Sequence, residues 1–202
     1  MSPLSHSVSV AASAPFSDLT EAAVPAAAKP LLAQVRAIFG FVPNLAVVMA
    51  LEPAAVDAYF HALDAFGKTS LSPIEQQIVL MAVSRANRAD YSLAIHAALA
   101  AKLGAGADLV TAVGTGGRVA DPRMSALRRF TEILAIGRGE VAVADVETFL
   151  AAGYDRAAIV AVVFGVAVKT FANALALLAG TPVDETFAPA LANLKGKERG
   201  HT

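Results

Sequence analysis

The chain has 202 residues, a formal net charge of −1 and no cysteine. The near-neutral charge offers no polyanion a foothold, so neither nucleic acid nor an anionic membrane is expected as a partner, and the missing thiols exclude disulfides, thiolate nucleophiles and cysteine-ligated metals. Only 16% of residues are charged and 56% are hydrophobic, against about 25% charged in an ordinary domain, so part of the surface is expected to be hidden in a homo-oligomer.

Residues 1–28 are rich in Ser, Ala and Pro and contain no Lys or Arg. Without a basic n-region or arginines they read as neither a secretory signal nor a mitochondrial one. A flexible or subunit-embracing arm on a cytoplasmic protein is expected. Helices then follow over Ala28–Phe39, Asn44–Leu51 and Pro53–Phe66. Ser72, Pro73 and Glu75 form a capping box with proline at the first helical position, opening a helix to about Arg85 with Ile74, Ile78, Met81 and Ala82 on its apolar stripe. The next begins near Asp90 and stops at Gly104, a residue suited to the left-handed position past a helix end. "GTGGRVADP" (114–122) reads as a loop, since no strand precedes its glycines and no Gly-Lys-Ser/Thr follows. Asp121-Pro122 opens a helix carrying Met124, Leu127, Phe130 and Leu134.

Asp155 caps the longest helix, which Gly180 ends. Its apolar block Ala157–Val168 meets Lys169 after 12 residues; a membrane span needs about 20, so a buried core helix is expected and no span. Residues 100–114 echo 150–165, each a helix end, a glycine and an apolar helix, as a duplicated hairpin would. With few alternating runs and no Asn-Gly or Asp-Gly turn, the class is all-α. One domain over 29–187 is followed by a polar tail, 188–202.

Ala89, Ser92 and His96 fall on one stripe at offsets of three and four. The preceding helix carries Glu75 and Gln77 and must fold back after a short connection, so Gln77, Ser92 and His96 can share a polar pocket with Tyr91 nearby. The plainer alternatives stand beside this: His96 as a satisfied core or interface histidine and Ser92 as a helix cap. A serine hydrolase is not proposed, because no orienting acid or oxyanion hole accompanies Ser92. His61 has only Asp57 or Asp64 nearby, too little for a metal site, and His6 and His201 carry no signal. Asn173 either bonds across helices or lines a pocket. Arg85 and Arg88 are the arginines near enough in sequence to hold a substrate carboxylate; solvated helix-end charges are the better explanation of both.

"FGFVPN" (39–44), "SLSPIEQQIVLMAVSRANRADYSLAIHAALAAKLG" (70–104) and "TFANALALLAGTPVD" (170–184) resemble the alkylhydroperoxidase D-like group of the carboxymuconolactone decarboxylase superfamily. The resemblance implies packed helical hairpins assembled as dimers, trimers or hexamers, with no cofactor. It also implies a Cys-x-x-Cys pair served by a glutamate and a histidine. Here Ala89 and Ser92 stand at the cysteine positions, Gln77 where the relay glutamate belongs, and only His96 remains; Glu75 matches a different acidic position. Asn173 fits an "F-x-N" segment, although Ala176 and Leu177 replace polar residues. A hydroxyl forms neither sulfenic acid nor disulfide, so thiol peroxidase activity is not expected. The expectation is a small organic molecule bound near His96. Its alternatives are acid–base catalysis of the decarboxylase type, on unsaturated lactone acids, with His96 as the proton carrier, and a purely structural oligomer.

Overall fold

A computed structural model describes Phe16 and residues 18–199. Among them are ten α-helices and no strand: α1 (Lys29–Phe39), α2 (Asn44–Met49), α3 (Pro53–Gly67), α4 (Pro73–Ala86), α5 (Asp90–Lys102), α6 (Ala107–Thr115), α7 (Pro122–Gly137), α8 (Val143–Ala151), α9 (Arg156–Ala179) and α10 (Ala188–Arg199). The all-α packed-hairpin architecture is as expected from the sequence.

Helix α4 is the hub, packed against α5, α6, α7 and α9. Its capping box forms: Glu75 N donates to Ser72 Oγ at 3.4 Å, and Ser72 N donates to Glu75 Oε2 at 2.8 Å. From Ile78 to Ser84 every side chain is buried, which a helix enclosed on all sides requires. The turn into α5 is tight. Arg88 takes a left-handed φ of 56° and Ala89 N donates to Ser84 O at 2.8 Å.

Two apolar clusters share α9. One joins α4–α7 to its N-terminal half, with Phe149 stacked between Phe130 and Tyr154 at 4.3 and 4.4 Å. The other joins α1–α3 to its C-terminal half. Asp155 Oδ1 caps α9 by accepting from Ala158 N at 2.8 Å, and Gly180 ends it in the left-handed region at φ 59°. The helix buries Ala158, Ala161, Val162, Gly165, Lys169, Ala172, Asn173 and Ala176 at three- and four-residue steps. Gly165 is the point of closest approach. A Cβ there would lie 2.7 Å from Phe66 Cε2 and 2.8 Å from Val79 Cγ1. Gly165→Ala should therefore destabilise the protein by about 1–2 kcal/mol, overpacking outweighing the gain in helix propensity. A urea midpoint equal to or above that of wild type would refute the close approach.

Several elements differ from expectation. Helix α9 itself starts at Asp155 and ends at Gly180 as expected, but its 24 residues are long and apolar enough, by length and composition, to cross a membrane, although it buries a lysine and an asparagine. Helix α2 stops at Met49, short of Leu51. Gly114 lies in the last turn of α6 rather than in a loop, and Leu194 fills the space beside it; a Cβ there would meet Leu194 Cδ2 at 2.6 Å. Residues 188–199 form α10, packed on α5 and α6, where a tail was expected. Residues 1–15 and 17 of the expected arm lie outside the described residues; of the remainder, Val24 and Ala28 are buried in the second cluster.

Candidate functional site

A cavity of about 220 Å³ opens where the two apolar clusters meet. Its walls are apolar, from Phe39 and Met49 to Phe66, Leu80 and Ile95, and its polar lining comes from Tyr59 of α3, Gln76 and Gln77 of α4, Tyr91, Ser92 and His96 of α5, and Lys169 of α9. Neither Asp nor Glu is among the lining residues.

The α4–α5 hairpin brings the expected cluster together. His96 Nδ1 lies 2.9 Å from Gln77 Oε1. An amide oxygen only accepts, so this contact puts the imidazole proton on Nδ1 and leaves Nε2 with a free lone pair. His96 Nε2 and Ser92 Oγ are both buried without a hydrogen-bond partner. A buried polar atom left unpaired costs roughly 1–3 kcal/mol, and two of them belong to residues of this one cavity. Burial holds the His96 pKa well below its usual value, and the charge of Lys169 adds to the effect; the ring is a neutral base.

Tyr91 has a structural task. Its hydroxyl accepts from Leu45 N at 3.1 Å and donates to Asp184 Oδ2 at 2.7 Å, while Asp184 Oδ1 accepts from Asn44 N at 2.9 Å. These bonds tie the start of α2 and the loop after α9 to the cavity wall. Burial, then the Asp184 carboxylate, raises the Tyr91 pKa, so the phenol keeps its proton. Gln76 likewise closes the α3–α4 loop by donating to Gly67 O and Leu71 O at 3.1 and 2.9 Å.

The other sequence candidates lie elsewhere. Glu75 sits at the N-terminus of α4, where Oε1 accepts from Tyr154 Oη at 2.9 Å and Arg123 Nε at 3.2 Å. Arg85 pairs with Glu132 at 3.2 Å, and Arg88 is exposed in the α4–α5 turn; neither lines the cavity. Ala89 is the buried residue preceding α5. Asn173 is fully buried with both amide atoms unpartnered and does not line the cavity. His61 is exposed beside Asp57, and no group of three His, Asp or Glu able to hold a metal occurs among the described residues.

Sequence reasoning missed Lys169 and Tyr59. Lys169 is 3% exposed, and its Nζ donates to Tyr59 Oη at 3.0 Å. Burial pulls the ammonium pKa down to about 7 and pushes the Tyr59 phenol up. The signal was present: a lone lysine inside the block "FGVAVKTFANAL" must either face water or be buried for a reason.

Residues 50–132, from α3 into α7, match the model of the carboxymuconolactone decarboxylase family. No curated protein matches the chain. Among solved structures, the chain is similar to the alkylhydroperoxidase AhpD core of an uncharacterized peroxidase-related protein from Ralstonia eutropha JMP134, with TM-score 0.75 and 23% identity over 85% of this chain and 93% of that one. It is also similar to an uncharacterized peroxidase-related protein from Silicibacter sp. TM1040, with TM-score 0.73 and 19% identity over the same shares, 85% and 93%. A third similar structure is the debrominase Bmp8, as a cysteine-to-alanine variant in complex with 2,3,4-tribromopyrrole; its TM-score is 0.72 and its identity 14%, over 82% of this chain and 90% of that one. These likenesses show a shared alkylhydroperoxidase D-like fold.

Proposed function

We propose that this protein, whose segment 50–132 belongs to the carboxymuconolactone decarboxylase family, binds a small, largely apolar organic molecule in the cavity beside His96 and uses the neutral ring as a proton acceptor. The observation that carries this reading is the buried, unpartnered pair Ser92 Oγ and His96 Nε2 at an apolar cavity. Ser92 can donate to a ligand oxygen or halogen while Nε2 takes a proton from the ligand or from water. The Bmp8 complex supports the reading, since there a small aromatic molecule is held on this fold by a chain lacking one cysteine. A thiol peroxidase cycle has no place here, as the chain contains no cysteine. The two unpaired atoms favour ligand binding over a purely structural role.

We place the protein in the cytoplasm as a homo-oligomer, its surface assembling through the exposed side of α9. Val160, Val163 and Phe171 there are 69%, 48% and 43% exposed, and burying such a strip is what an assembly gains most from.

The experiment is an NMR titration of the His96 ring, assigned with His96→Ala. The wild-type ring should stay neutral well below the usual histidine range, and its signals should move on addition of halogenated pyrroles, aromatic acids or lactones. Gln77→Glu should bring a carboxylate to the Nδ1 side and move the imidazole pKa up into the accessible range. A ring that ignores every ligand, and whose titration is unmoved in Gln77→Glu, would defeat the proposal.

A further inference from the structure

Lys169 has no role in the binding reading above, yet it is the most costly residue in the cavity wall. A lysine side chain is rarely enclosed unless a carboxylate meets it. Lys169 is 3% exposed and its hydrogen-bond partner among the described residues is a neutral phenol, Tyr59 Oη, at 3.0 Å. No carboxylate lines the cavity. The titratable groups that line the cavity with the amine are Tyr59 from α3 and Tyr91 and His96 from α5, and none of them supplies a negative charge at neutral pH. Such surroundings favour the uncharged amine, which is a nucleophile.

We propose that Lys169 captures an aldehyde or ketone in this cavity as a Schiff base, with Tyr59 handling the proton. The proposal rests on the binding reading and names its ligand class. The Nζ lone pair attacks the carbonyl carbon. The C–N bond forms as the carbon–oxygen π bond breaks, and the oxygen takes the Tyr59 phenolic proton to give a carbinolamine. The phenolate recovers a proton from the nitrogen. Loss of the hydroxyl with the remaining N–H proton releases one water and leaves the imine, so atoms balance with no oxidant or reductant. The apolar wall formed by Met49, Phe66 and Leu80 suits the hydrocarbon part of such a ligand and shields the imine from hydrolysis. Burial brings the Lys169 pKa to about 7, so about half the molecules hold the free amine at neutral pH. A lysine in water holds only about one free amine in a thousand at that pH.

The full chain is incubated at pH 7 with benzaldehyde and sodium cyanoborohydride, and benzyl groups are located by peptide mass spectrometry. Lys169 should be labelled at least tenfold faster than any of Lys29, Lys68, Lys102, Lys195 and Lys197, all exposed at the surface. Its labelling rate should level off just above pH 7. Lys169→Met should remove the fast phase, and Tyr59→Phe should slow it. Benzyl alcohol, which has no carbonyl, separates the two readings through the His96 signals. If it shifts them while labelling is spread evenly over the surface lysines, Lys169 is not the nucleophile and the binding reading stands. If Lys169 is not labelled, and neither benzyl alcohol nor any of the earlier ligands nor Gln77→Glu moves the His96 signals, both fall.

Discussion

Lys169→Met should stabilise the protein by about 2–3 kcal/mol at pH 7, an unusual direction for a substitution at a buried polar position. The folded pKa of Lys169 is about 7 and that of an unfolded lysine about 10.4. Because the folded value is depressed, the stabilising contribution is complete only above pH 10.4 and is lost progressively as pH falls to 7. At neutral pH the loss is on the order of 4 kcal/mol. Methionine removes the charge at similar length but leaves the buried Tyr59 hydroxyl without its partner, which costs about 1–2 kcal/mol; adding Tyr59→Phe should recover most of that. The pH dependence is the stricter test. Between pH 7 and 9 wild-type stability should rise by up to about 1.4 kcal/mol per unit, and the variant should be flat. That window is clear of its neighbours. His96, with a depressed folded pKa, costs stability only as pH falls below the unfolded value of about 6.5, and Tyr59 and Tyr91, with raised ones, only as pH nears 10. A wild-type protein equally stable at pH 7 and 9 in urea would mean that Lys169 is solvated. If it is not, the chain retains a destabilising residue that function explains better than folding does.

Glu75→Ala should have the opposite sign, a loss of about 3 kcal/mol. The carboxylate accepts from Ser72 N at 2.8 Å, Tyr154 Oη at 2.9 Å and Arg123 Nε at 3.2 Å. The capping contact contributes about 1 kcal/mol, and a buried tyrosine hydroxyl left without an acceptor costs another 1–3 kcal/mol or so. The Arg123 pair adds little, because the arginine side chain is 43% exposed. The network is also mechanical. Arg123 stacks over Tyr154 with Cζ 3.9 Å from the ring centroid and donates to Gly153 O at 2.7 Å, so α4, α7 and the α8–α9 turn meet at one carboxylate. Burial alone would raise the Glu75 pKa, but the bonds from Ser72 and Tyr154 and the charge of Arg123 outweigh it and the pKa is lowered. The contribution is therefore complete above the unfolded pKa of about 4.3 and lost as pH falls through the lower folded one. Urea midpoints from pH 7 down to 3 should converge for wild type and Glu75→Ala. A deficit below 1 kcal/mol at pH 7 would show that the three bonds are replaceable by water.

Caps and glycines made the main helices legible in the sequence. The Ser72–Glu75 box, Asp121-Pro122 and Asp155 set three starts, and Gly180 set an end, because each is a local interaction whose partners lie within four residues. The echo between 100–114 and 150–165 has a structural counterpart. Gly104 and Gly153 both take left-handed φ, 87° and 90°, and in each case the next helix begins three residues later. Helix α10 was illegible for the converse reason. "APALANLKGKER" carries few large apolar residues and an internal glycine, and what holds it is distant packing on α5 and α6, including Leu194 against Gly114. At the site, Gln77, Ser92 and His96 could be placed together because one hairpin carries all three. Lys169 and Tyr59 could not, since their separation of 110 residues leaves no trace in spacing. Glu75 was drawn towards the cavity by its nearness to Gln77, but two residues along a helix is about 200° of rotation, and it faces Tyr154 instead.

Gly165 sets the dimensions of the cavity without lining it. It lets α9 lie against Phe66, whose ring forms part of the wall, and Lys169 follows one helical turn later on the same face. A larger residue at this position would act as a shim between α9 and α3, withdrawing the amine from the chamber and widening the space before His96. The size of ligand admitted and the reach of Lys169 would then change together, with every lining residue still in place. Two chains identical around the cavity could thus differ in what they accept through the single residue behind it.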